Sequence, residues 1–141
     1  MSTHKAIATV AIRAPLAIIE VPTIQPVDRE VRFRVEWTAS TPLSLHQNDG
    51  GLLVKHPQIL GGNSAGTVVE VGPAVRNLAV GDKVSRIRYQ KPSLFVIELT
   101  FEKVFGFAFA EQKHKAEQEY VTVAETSLSK VSRKPARESN R

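Results

Sequence analysis

The side chains able to do chemistry in this chain of 141 residues are few and scattered. Cysteine is absent, which removes disulfides, thiolate metal ligands and a cysteine nucleophile. His4, His46, His56 and His114 lack the mutual spacing a metal ion needs. His46 reads as a partly exposed turn histidine, with a proton-relay role as the alternative. No carboxylate pair stands out; Glu111, Glu117 and Glu119 read as the solvated face of a connector. There is no Gly-x-Ser-x-Gly nucleophile turn and no phosphate loop. The Thr41-Pro42-Leu43-Ser44 segment offers two hydroxyls that can donate or accept hydrogen bonds. Its plainer reading is a strand-to-helix turn with Ser44 as the helix N-cap.

The elements that would hold these groups are short strands. Glu30 to Trp37 alternates strictly, with Val31, Phe33, Val35 and Trp37 on one face and Arg32, Arg34 and Glu36 on the other, as a half-buried strand does. Lys5 to Val10, Leu16 to Pro22, Ala65 to Val71, Lys83 onward and Tyr120 to Ala124 read as further strands. Helical signal is thin, with a turn or two at Ser44 to Asn48 and within Ala110 to Glu119. Gly61, Gly62 and Gly66 are read as supplying freedom for tight reversals, with a second turn at Val80-Gly81-Asp82. Gly72-Pro73 ends a strand, because proline cannot donate to a following ladder. Many short strands separated by Gly and Pro predict a mainly β domain, a small and partly open β-barrel with few short helices.

A single domain of this size buries about two-thirds of its unfolded surface. No stretch reaches membrane-spanning length and the first residues lack the apolar core of a secretory signal, so the expected location is cytoplasmic. The net charge of +5 divides unevenly. Ser85 to Lys103 carries Arg86, Arg88, Lys91 and Lys103 against Glu98 and Glu102, and Ser132 to Arg141 carries Arg133, Lys134, Arg137 and Arg141 against Glu138. These two segments hold the whole excess, leaving the remainder neutral. A nucleic-acid surface needs its basic residues clustered on the folded face that meets phosphates, so that partner class is not expected.

Lys55 to Val84, KHPQILGGNSAGTVVEVGPAVRNLAVGDKV, orders its glycines as apolar-Gly-Gly-x-x-Ala-Gly, strand, Val-Gly, spacer, Gly-Asp-x-Val. This series resembles the medium-chain dehydrogenase/reductase superfamily, in its N-terminal GroES-like domain. The opening strands and Val104 to Val131 extend the likeness. In zinc-dependent members a Cys-x-x-Asp-x-His pattern and a Gly-His-Glu turn supply the catalytic metal ligands. Here Thr41 stands in the cysteine position, Gly62 in that of histidine and Asn63 in that of glutamate. These do not make a zinc site, and the four cysteines of the structural zinc lobe are missing too.

The resemblance therefore implies the zinc-free branch, which includes quinone and enoyl reductases. Those enzymes commonly show Asn-Pro-x-Asp where this chain has Thr41-Pro42-Leu43-Ser44, in a loop against the nicotinamide end of NADPH. Thr41, Pro42, Leu43 and Ser44 are thus the implied cofactor-binding residues, no catalytic residue is assigned, and no metal site is expected. In such enzymes the cofactor carries the hydride, and a small-molecule substrate sits between the lobes.

Two segments fit nothing in the family. Ser85 to Lys103 interrupts the strand that should follow Gly-Asp-x-Val, and Lys83-Val84 is echoed by Lys103-Val104. The expectation is an atypical insertion, with a translated in-frame intron as its origin: Val84-Ser85 can be encoded GTG-AGT, a donor-site sequence. Within it, Leu94 to Leu99 is a β-prone apolar run and an aggregation liability if exposed. The tail from Ser132 to Arg141 reads as disordered and basic. The domain assignment is thus 1–131 GroES-like, family-like over 1–84 and 104–131, truncated before a Rossmann domain. A fragment so built is expected to be inactive alone and not to bind NADPH tightly. A non-enzymatic GroES-like binding or oligomeric module is the alternative.

Overall fold

The computed structural model describes residues 2–51, 54–86 and 112–131. Eight strands and one α-helix lie within them: β1 (Thr3–Thr9), β2 (Ala17–Pro22), β3 (Glu30–Thr38), α1 (Pro42–Asn48), β4 (Gln58–Ile59), β5 (Ser64–Val71), β6 (Lys83–Arg86), β7 (Tyr120–Ala124) and β8 (Ser129–Lys130). A 3-10 turn at Gln112–His114 takes up part of the helical signal expected between Ala110 and Glu119. The domain is mainly β, as expected. Its strands form a three-stranded sheet ordered β2-β1-β4 and a five-stranded sheet ordered β7-β3-β5-β6-β8, and the two do not close on each other. The result is a partly open barrel of antiparallel pairs. No helix among the described residues is long and apolar enough to cross a membrane. The segment read as an insertion lies outside the described residues except for Ser85 and Arg86, which extend β6 alongside Ser64 and Ala65. The start of the family-like stretch at Val104, the apolar run at Leu94 to Leu99 and the basic tail also lie outside them.

Alternation along the strands builds the core. Val31 and Phe33 of β3 face Val123 and Val121 of β7 in register, and Phe33 lies opposite Val68 of β5. With Val84 these form one buried cluster, against which Val35, Val71, Val75, Leu78 and Leu128 pack from its edges. The expected apolar face of β3 is corrected at its far end: Trp37 is 76% exposed. Register shifts on either side of Phe33–Val35 explain this, since the pairing jumps from Val35↔Gly66 to Trp37↔Ala65. The bulge carries the last residues of β3 past the rim of the core.

Gly66 is also corrected. It lies inside β5 rather than in a reversal, and a Cβ there would collide with the Arg34 carbonyl of β3. Gly61 and Gly81 do sit in left-handed turns, at φ +85° and +94°. β5 ends at Val71, immediately before Gly72-Pro73.

The buried carboxylate of Glu125 ties the loop after β5 to β7's end. It accepts from the Arg76 N–H at 3.1 Å, from Asn77 Nδ2 at 2.7 Å and from Arg29 at 3.4 Å. Burial pushes its carboxyl up, but the Arg76, Arg29 and Asn77 donors outweigh that and hold it below the usual carboxylate range.

One short segment joins the two sheets. In Ala116–Glu119, Glu117 O accepts from Ile7 N at 2.8 Å, while Glu119 N donates to Lys5 O at 3.0 Å and Glu119 O accepts from Val35 N at 2.9 Å. Glu117 N donates in turn to Leu60 O at 3.0 Å. Because its backbone serves β1, β3 and the residue after β4 together, its side chains cannot all face solvent.

Candidate functional site

α1 begins where Pro42 fixes the first helical φ and needs no hydrogen-bond donor. The N-cap is Thr41, in extended geometry at φ −128° and ψ 157°, with no side-chain cap bond. Ser44, read above as the cap, lies one turn in and is buried, so that reading is corrected. The helix is tethered by its inner face: Ser44 and Gln47, three residues apart, are its buried residues. His46 is exposed on the other side, where its ring stands over Gly51.

This face meets the turn before β5. Thr41, Leu43, Ser44 and Gln47 line a hollow of about 240 Å³ together with Gly61, Gly62, Asn63 and Lys115. The fold thus joins the two segments singled out in the sequence, the Thr41–Ser44 turn and the Gly61–Asn63 turn. Of the four candidate residues, Thr41, Leu43 and Ser44 line the hollow; Pro42 is exposed and does not.

Glu117 was read as solvated, and the structure corrects this: it is 9% exposed. Ser44 Oγ donates to its Oε1 at 3.4 Å. Burial pushes the Glu117 carboxyl above the usual carboxylate range, and the Ser44 hydrogen bond offsets only part of that. Gly61 lies against it; a Cβ there would come 2.8 Å from Glu117 Cγ and 2.9 Å from its backbone nitrogen. Nothing in the sequence near Glu117 signals burial, because the burial comes from the stitching of both sheets. Besides Lys115, Gln47 is another residue missed, at 3% exposure. Its i, i+3 relation to Ser44 was the available signal.

A raised carboxyl means that the folded state holds its proton more firmly than the unfolded chain does. Its contribution to stability is therefore complete below the unfolded carboxylate range and is lost as pH rises through the folded value. Glu117→Gln cannot ionise and escapes that loss. Thermal denaturation at about pH 4 and about pH 8 should show the variant gaining on the wild type at the higher pH. A constant difference between the two would mean Glu117 titrates normally.

The fit of this hollow to a metal turns on its donor set. A zinc ion needs several thiolate, imidazole or carboxylate ligands converging on one point. Around this hollow stand hydroxyls, amides, an ammonium group and the one carboxyl of Glu117, already bonded to Ser44. Among the described residues no three His, Asp or Glu side chains are grouped to hold an ion. The residues do not fit zinc. Two of the other histidines bond within the fold: His4 bonds Thr23 Oγ1 at 2.9 Å and Gln118 Oε1 at 3.0 Å, and His56 Nδ1 lies 3.4 Å from Thr9 O.

Comparisons with known proteins agree with this architecture. The benzyl alcohol dehydrogenase of Acinetobacter calcoaceticus superposes with a TM-score of 0.73 at 22% identity, over 94% of this chain and 42% of that one. The quinone oxidoreductase of Coxiella burnetii gives 0.66 at 22% identity, over 92% and 37%. By sequence, a probable diacetyl reductase of Saccharomyces cerevisiae is 40% identical over 68 residues, covering 39% of this chain and 16% of the relative. An alcohol dehydrogenase of Schizosaccharomyces pombe is 40% identical over 67 residues, covering 46% and 19%. The chain thus spans under a fifth of the length of these two curated relatives. The family model of the alcohol dehydrogenase GroES-like domain matches residues 27–133, and the chain belongs to that family.

Proposed function

We propose that this chain is the catalytic-side lobe of a zinc-independent, NADPH-dependent oxidoreductase of the enoyl or quinone reductase type, and that it is inactive by itself. The observation that carries this is the hollow in which the Thr41–Ser44 and Gly61–Asn63 segments meet without a set of metal ligands. When bound, the nicotinamide supplies the hydride. Thr41, Leu43 and Ser44 orient its reactive end from this wall, and Pro42 fixes the direction of the helix that carries them. Glu117, whose carboxyl burial pushes above the usual carboxylate range, accepts from Ser44 beside the hollow. The partner is a small molecule taken up in the cytoplasm, with no role for nucleic acid or membrane. The domain runs over 1–131, with an insertion at 85–103 and a basic tail beyond 131.

Grip on the dinucleotide belongs to a Rossmann lobe. Titration of NADPH into the purified chain in a calorimeter should therefore give no saturable heat at micromolar cofactor; saturable heat overturns this part of the reading. Elemental analysis should find no stoichiometric zinc. A spliced transcript that retains Ser85 to Lys103 would make that segment a true insertion rather than a translated intron.

The second reading, a free-standing binding or oligomeric module, draws on exposed apolar side chains, Trp37 at 76% and Ile18 at 73%. Sedimentation of the purified chain separates the two, since a module of that kind assembles at physiological concentration.

A further inference from the structure

A second cavity, of about 350 Å³, lies between the two unclosed sheets and shares no lining residue with the hollow beside α1. Along β7, Val121 and Val123 enter the core cluster, while Tyr120 and Thr122 take the other face and line this cavity. β1 supplies His4, the end of β2 supplies Val21 and Pro22, and β4 supplies Ile59. The buried polar side chains of the wall are turned to one another rather than to the space. His4 bonds Thr23 Oγ1 and Gln118 Oε1 through its two ring nitrogens, at 2.9 and 3.0 Å. Gln118 Nε2 donates to the carbonyls of Gln112 and Lys115, and Thr122 Oγ1 donates to that of Ile24. None of the orphaned buried side-chain atoms of the described residues belongs to this wall. What remains for an occupant is an apolar lining of Val21, Pro22, Ile24 and Ile59 beside the Tyr120 ring.

We propose that this cavity binds a small, neutral, bicyclic aromatic molecule, at a site separate from the hollow of the reductase reading and independent of it. An apolar cavity of about 150 Å³ holds one benzene ring, so this one has room for two fused rings. Two rings already meet in its wall: His4 and Tyr120 stand edge to face, their centroids 5.5 Å apart at 86°. A further flat ring can join them in the same geometry, which an aliphatic chain cannot do. Charge is disfavoured. The Lys113 ammonium of the wall is already paired with Glu30 at 2.9 Å, so an ionic ligand would give up hydration without a counter-charge in return. An occupant touches β2 and β4 of one sheet and β7 of the other, so it binds the folded chain and not the unfolded one.

The whole chain, labelled with ¹⁵N, is titrated with indole while its backbone amide resonances are followed. Those of Val21, Ile24, Ile59 and Thr122 should shift and saturate, and those of Ser44, Gly62 and Asn63 should stay fixed. Tryptamine and indole-3-acetate, which keep the rings and add a charge, should bind about tenfold more weakly. Cyclooctanol, of similar bulk without an aromatic ring, should also bind more weakly. Val21→Phe and Ile24→Trp each fill the cavity and should abolish saturation at indole concentrations that saturate the wild type. Indole should raise the Tm of the wild type with its concentration and leave that of either variant unchanged. Should one variant fail to fold, the other decides. No saturable shift in the wild type, shifts centred on Ser44 and Asn63, tighter binding of a charged analogue or of cyclooctanol, or undiminished binding in a folded variant would each overturn the assignment. Such a failure leaves the reductase reading standing, because that reading is decided by the NADPH titration.

Discussion

Gly66→Ala should leave no cooperatively folded protein. Gly66 sits mid-strand in β5, between Val35 of β3 and Val84 of β6, in the centre of the five-stranded sheet. An added methyl would overlap the carbonyl oxygen of Arg34 and crowd its carbon at 2.8 Å and Val35 Cα at 3.1 Å. These are backbone atoms, so no rotamer change relieves the overlap. β3 would have to lift away along a ladder it shares with β5 over most of its length. The strand cannot slip instead, because a one-residue shift turns Val68 outward and Thr67 into the core. Far-ultraviolet circular dichroism with thermal melting checks this. A β-sheet spectrum and a sigmoidal melt in the variant would show that the sheet accommodates the methyl.

Phe33→Ala should cost about 3–5 kcal/mol, the range for truncating a fully buried aromatic to alanine. Phe33 is 0% exposed and touches the layer from both sides, facing Val121 of β7 and Val68 of β5. No other aromatic belongs to the buried cluster, so valines too short to reach across would have to fill the space. Domains of this size have about 5–15 kcal/mol in hand, so the variant loses a large share of its stability. The control lies in the same strand. Trp37 shares the alternating face of Phe33 in sequence but is solvent-exposed, and Trp37→Ala should change stability by no more than about 0.5 kcal/mol. Urea unfolding midpoints at unchanged slope measure both. Equal losses for the two would mean that the face is uniformly buried and that the bulge between Val35 and Trp37 does not turn Trp37 out.

The contrast between Phe33 and Trp37 shows how far pattern reading reaches. Alternation identifies a strand and its two faces, and it placed β3 and β7 with almost correct ends because Val and Phe recur every second residue there. It carries no information about how far the opposing layer extends, which depends on register and bulges contributed by β5. Gly66 shows the same limit. Its presence in a glycine-rich run is visible, but whether it serves a turn or a close crossing is settled by what lies above it.

The candidate site divides in the same way. By itself the chain determined a mainly β domain, the positions of the Thr41–Ser44 and Gly61–Asn63 turns, and the lack of cysteine ligands. These follow from residue type and short-range spacing, which act through local backbone preference and donor chemistry. Only the tertiary structure decided that the two turns face one hollow, that Ser44 bonds Glu117 rather than capping α1, and that Gln47 keeps an unmet donor. Glu117 is separated from Ser44 by 73 positions. Its burial arises because one short segment supplies hydrogen bonds to both sheets, a long-range constraint with no local periodicity to announce it.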